Sequence, residues 1–153
     1  MWTAVSEIAR VLTSSESLAA RVRVVDPDEA EDLLQRVRER YLGGRDPLFW
    51  WEHLPPDVEG YNPPDGDAPR LLPLLAPTPD EPAWLIVGLD DRRQGVYECP
   101  PTVIPELLGE CAYFEYAVIG KDLSWLLLEN HHGCLFASGT TATRLSELNS
   151  HQD

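Results

Sequence analysis

Val5, Ile8, Ala9 and Leu12 recur at i, i+3, i+4 and i+7, which predicts an amphipathic helix over about residues 3–13. Ser14, Ser15 and Ser17 interrupt it. Ala20-Arg21-Val22-Arg23-Val24 then alternates apolar and charged positions, the period of a half-exposed strand, with a continued helix as the alternative. The next helix is marked at both ends. Asp26 is a capping residue, Pro27 takes the first helical position, and Glu29 completes a D-x-x-E capping box. Leu33, Leu34, Val37 and Tyr41 line one face, and Gly43-Gly44 supplies a left-handed stop.

Leu48-Phe49-Trp50-Trp51-Glu52-His53-Leu54 reads as an aromatic strand or short turn. Residues 55–82 hold nine prolines in 28 positions. Proline fixes φ and lacks an N–H, so neither a regular helix nor a central strand fits there. Leu71-Leu72-Pro73-Leu74-Leu75 can anchor the stretch by dropping leucines into a core. The expectation is an ordered proline-rich excursion, mobile near Asp65-Gly66-Asp67, and not a linker, because 54 residues could hardly bury a core alone. After Pro82 the pattern becomes β: Trp84–Leu89, a turn over Asp90–Gly95, then Val96–Cys99 as a hairpin partner. Thr102 can cap a short helix ending near Gly109. Tyr113–Ile119, Ser124–Asn130 and Cys134–Ser138 follow as strands, and Arg144–Leu148 allows one turn of helix.

Helices followed by strands predict an α+β fold, with the N-terminal helices on one face of a mostly antiparallel sheet of about five strands. At 153 residues the whole chain, 1–153, fits one domain. Neither a basic leader nor an apolar run of about 18 residues is present, so a soluble, cytoplasmic protein is expected.

Charge sharpens the picture. Residues 1–45 carry seven arginines and eight acids, whereas residues 46–153 carry five basic residues and eighteen acids, a net of −13 out of −14 for the chain. Nucleic acid and anionic membranes need clustered cations and are therefore not expected partners. A basic protein partner is, held by Asp and Glu around an aromatic anchor. The outward ring of the Trp50-Trp51 pair, together with Asp90 and Asp91, is the candidate contact surface, although Asp90-Asp91-Arg92-Arg93 also reads as a solvated turn.

Catalytic and cofactor motifs are missing. The chain has no G-x-S-x-G, no G-x-x-x-x-G-K, no H-E-x-x-H and no C-x-x-C, so no cofactor, resident metal or catalytic residue is expected. Cys99, Cys111 and Cys134 are expected as reduced, buried thiols. The densest polar cluster is Glu129-Asn130-His131-His132, followed by Gly133-Cys134. If extended, it puts Glu129 and His131 on one side and His132 and Cys134 on the other, each a possible half of a zinc site. The first reading of Asn-His-His-Gly is nevertheless a polar hairpin turn. The alternative function is thus a metal-binding protein or hydrolase centred on Glu129, His131 and His132.

The motifs W-L-I-V-G-L-D at Trp84–Asp90, V-Y-E-C at Val96–Cys99, Y-F-E-Y at Tyr113–Tyr116 and W-L-L-L-E-N-H-H-G at Trp125–Gly133 resemble a small bacterial domain family of unknown function. The resemblance covers about residues 84–137 and carries no reaction with it. It implies a functional cluster of Glu115, Tyr116, Trp125, Glu129, Asn130, His131 and His132. More distantly, the chain resembles the SUKH bacterial immunity proteins, which are small acidic cytoplasmic α+β domains that bind toxins. That implies an immunity- or antitoxin-like interaction protein with a toxin as its basic partner. Strand-edge pairing would allow a homodimer.

Overall fold

A computed structural model describes residues 2–150. The chain runs α1 (Ala4–Ser14), α2 (Glu16–Arg21), β1 (Arg23–Val24) and α3 (Pro27–Tyr41), then a 3-10 turn at Trp50–Glu52. Next come β2 (Glu59–Tyr61), α4 (Leu72–Leu75), β3 (Ala83–Val87), β4 (Gly95–Cys99), α5 (Ile104–Gly109), β5 (Tyr116–Ile119), β6 (Trp125–Glu129), β7 (Leu135–Gly139) and α6 (Thr140–Ser150). The fold is α+β. One antiparallel sheet of seven strands has the order β1-β4-β3-β5-β6-β7-β2. The five inner strands are those the apolar runs predict. The two additions are edge strands: β1 is two residues long, and β2 pairs Glu59–Tyr61 with Leu135–Ala137 from within the proline-rich excursion. Neither is long enough to show a period of two.

Helices cover both faces, not one. Alternation along β3 sends Leu85 and Val87 to one side, where α1, α2, α4, α5 and α6 contribute Ile8, Leu18, Leu72, Leu107 and Leu145. It sends Trp84 and Ile86 to the other side, beneath Leu33, Leu34, Val37 and Tyr41 of α3 and the side chain of Trp50. The all-apolar run of β3 is the signature of a strand buried twice, which a single helix layer would not require. Tyr41 Oη donates to the Leu123 carbonyl at 2.7 Å and ties the end of α3 to the β5–β6 loop.

Local detail departs from expectation at the element ends. Asp26 caps α3, accepting from the N–H groups of Asp28 and Glu29 at 3.1 and 3.0 Å. Glu29 does not return the bond. It pairs with Arg23, which also reaches Glu98 and so straps β1 and β4 to α3. The capping box lies instead at α1, between Thr3 and Ser6. Residues 20–24 divide between the end of α2 and β1. Residues 48–54 make a turn, not a strand. Thr102 sits in a 3-10 turn, and α5 starts at Ile104, where Val103 takes the cap position without a side-chain hydrogen bond. The final helix is longer than expected, spanning Thr140–Ser150. Within the excursion, Asp65 forms a surface ion pair with Arg70 at 2.8 Å.

Glu7 staples α1 to the segment after α5. Its carboxylate accepts from Arg10, from Trp2 Nε1 and from the Ala112 N–H, which together hold its pKa at about 2 against burial. A depressed acid adds stability that is complete above its ordinary value of 4.5 and fades as pH falls toward 2. Glu7→Gln should therefore flatten the acid limb of a denaturation-versus-pH profile within that window, and an unchanged limb would argue against the staple.

Candidate functional site

Strands β5 and β6 pair Tyr116 with Glu129 and Ala117 with Leu128. Alternation points Tyr116 and Glu129 toward the α1/α5 face, while Glu115, one residue earlier, belongs to the α3 face. Past Glu129 the chain is not extended. Asn130 Oδ1 accepts from the N–H groups of His132 and Cys134 at 3.1 and 3.0 Å, and Gly133 adopts φ 75°. This is an Asx-type turn, and only glycine takes that φ freely. The turn, and not strand alternation, decides where the imidazoles go.

It folds His131 back onto Glu115. The His131 N–H donates to Glu115 Oε2 at 2.8 Å, and Nδ1 lies 2.6 Å from the same oxygen. Glu115 is fully buried, and its Oε1 has no hydrogen-bond partner. The His131 side chain keeps 41% of its surface exposed. With Nδ1 carrying the proton toward the carboxylate, Nε2 is the nitrogen left to accept or transfer one. The His132 ring stands 4.0 Å from that of His131, centroid to centroid. Trp51 meets both imidazoles edge-on at 6.1 Å and stacks on Phe136 at 6.0 Å; Phe49 closes the group 5.8 Å from His131. Phe49 and Phe136 escaped the sequence reading. Phe136 was accessible to it, since it alternates with the inward-facing Leu135 and Ala137 and so shares a face with Glu115.

Glu129 goes the opposite way. Its Oε1 accepts from Tyr116 Oη at 2.8 Å. Burial raises its pKa, the Tyr116 bond opposes that, and the negative charge of Asp67 adds to the rise. Tyr116 is driven well above the usual phenol range, first by burial and then by Glu129. Tyr113 Oη donates to the Asn130 carbonyl and is raised by burial and the same carboxylate. These groups border a cleft of about 250 Å³.

The predicted cluster therefore splits across the sheet. Glu115, His131 and His132 gather with Trp51 on one face, and Tyr116 and Glu129 on the other. Asn130 shapes the turn between them. Trp125 is buried at the far end of β6, against Gly120, where a Cβ would lie 2.3 Å from its Nε1. Trp50 is fully buried and offers no contact surface; Trp51 is the outward member of the pair. Asp90 and Asp91 are half-exposed in the β3–β4 loop, where Asp91 accepts from the Arg93 N–H. A zinc centre on Glu129, His131 and His132 fails because the turn separates the acid from the imidazoles. Among the described residues no three His, Cys, Asp or Glu side chains converge in metal-binding geometry. Cys99 is buried and Cys111 and Cys134 half-buried, all unpaired; burial raises all three thiols, Cys99 to about 12 and Cys111 to about 11. No described helix is long and apolar enough to cross a membrane.

Comparison with protein-family models, with curated proteins and with solved structures finds no match to the chain.

Proposed function

We propose that this chain is a non-enzymatic binding module of the immunity or antitoxin kind, acting in the cytoplasm, and that its partner is a basic protein such as a toxin. The observation that carries this reading is how the charges pair. Most arginines of the N-terminal third are spent internally: Arg10 on Glu7, Arg21 on Glu106, Arg23 on Glu29 and Glu98, Arg36 on Asp32, and Arg38 on Glu31 and Asp46, which leaves Arg40 and Arg45 outside any ion pair among the described residues. Glu52, Glu59, Asp67, Asp80, Glu81 and Glu147 stay exposed, and no ion pair links them to a described Lys, Arg or His. Uncompensated surface acids create a field that speeds the approach of a cationic partner and discriminates against an anionic one. Half-buried Trp51, braced by Phe136 and the two imidazoles, is the natural anchor, since rigid aromatic side chains dominate contact energies.

The test is affinity capture of the partner from the source cells, followed by elution with rising salt. A basic protein released progressively between low and high salt is the expected result, with Trp51→Ala weakening capture by about 2 kcal/mol. Retention that ignores salt would sink the reading. A second reading is favoured by one observation, the buried Glu115 held against the His131 ring, an arrangement also used to orient a general base. Acylation of His131 by diethyl pyrocarbonate much faster than that of His132, and lost in Glu115→Gln, would favour it.

A further inference from the structure

We infer that the cleft between Tyr113 and Glu129 receives an organic cation, the alkylammonium or guanidinium end of a lysine or arginine side chain presented by the partner. The inference deepens the proposal of a basic partner and rests on it.

The cleft holds about 250 Å³, bordered by Asp67, Leu108, Tyr113, Phe114, Tyr116 and Glu129, with no Lys, Arg or His in its lining. The hydrogen-bonding capacity of its side chains runs one way. Tyr116 gives its hydroxyl proton to Glu129 Oε1, Tyr113 gives its proton to the Asn130 carbonyl, and the Cys111 thiol gives its proton to the Leu107 carbonyl. Lone pairs remain: those of both phenol oxygens, of the Asp67 oxygen not engaged by the Arg70 N–H, and of Glu129 Oε2, to which no described residue donates. Glu129 as a whole is only 5% exposed, so its charge is held largely out of bulk water where it borders the cleft. A lining made of acceptors selects a ligand made of donors. Ammonium carries three N–H groups and no acceptor, and guanidinium five. Anions are repelled by the two carboxylates, and a neutral guest leaves the buried one unpaired. The apolar stem of such a side chain suits Leu108 and Phe114, and the ring faces add attraction for a cation. The upward pull on the Glu129 pKa from burial and from Asp67 is the same charge deficit seen from the proton's side.

The experiment is an NMR titration of the full chain, at constant ionic strength, with n-butylammonium, n-propylguanidinium and neutral n-pentanol. Expected are saturable shifts confined to residues 66–69, 108, 111–116 and 129–130 for both cations. Pentanol should bind at least about tenfold more weakly, and Glu129→Gln, which keeps an acceptor for Tyr116, should weaken the cations by roughly tenfold or more. Asp67→Asn, on an exposed side chain, should weaken them less and serves if the first variant does not fold. Pentanol binding as tightly as the amines, or both variants titrating like the parent, overturns the inference. Partner capture separates the two levels. Glu129→Gln capturing the partner as well as the parent, with the same salt dependence, overturns the side-chain assignment and leaves the acidic-docking reading standing. Salt-insensitive capture sinks that reading whatever the amines do.

Discussion

Trp50→Ala should lower stability by about 3–5 kcal/mol, read from the urea midpoint at an unchanged slope. The indole is fully buried between α3 and the sheet, among Leu33, Val37, Ile86 and Leu126, and truncation leaves a hole that neither the helix nor the strands can close. Its Nε1 has no hydrogen-bond partner, so the residue stabilises by volume alone. Trp50→Phe removes that unpaired donor together with part of the volume, and should cost clearly less than alanine. A loss below about 1 kcal/mol for the alanine variant would mean that the second core is not closed by the 48–54 turn.

The second large effect is asymmetric. His131→Ala should cost about 3–5 kcal/mol, because it strands the Glu115 carboxylate in the interior with a single backbone N–H. Glu115→Gln should cost about 1–3 kcal/mol, since the partner it releases is part-exposed and water can take over. Combining the two should cost less than their sum, because the double variant has neither a stranded charge nor a lost pairing. Chemical denaturation of the four proteins in the cycle decides it. Additive losses would show that the contact contributes no coupling.

How much was legible in the chain depended on the length of each signal. The helices at Ala4 and Pro27 and the five inner strands repeat their pattern over four or more residues, and apolar burial sets that pattern directly. Edge strands of two and three residues carry no period, and proline density around Glu59–Tyr61 argued against a strand that in fact needs only its partner's free edge. The second helix layer was written in the unbroken apolar run Trp84–Leu89, which alternation arguments do not use. At the site, residue choice singled out Glu115, His131 and His132, but the side each faces follows from the Asn130 turn and not from strand parity. The tie from Glu115 to His131 spans the β5–β6 hairpin, and nothing local announces it.

The outermost strands come from the first half of the chain, while the five between them come from the second. Arg23–Val24 must await Glu98, and Glu59–Tyr61 must await Leu135–Ala137. During synthesis, the first 82 residues therefore leave the ribosome with their apolar stripes uncovered and no hairpin of their own to close. Such long-separation pairings are slow to form, and the exposed intermediate invites chaperones or aggregation. A stop anywhere before Gly139 yields a product unable to complete its sheet, so in cells truncated forms should be cleared as misfolded chains rather than persist as shorter working ones.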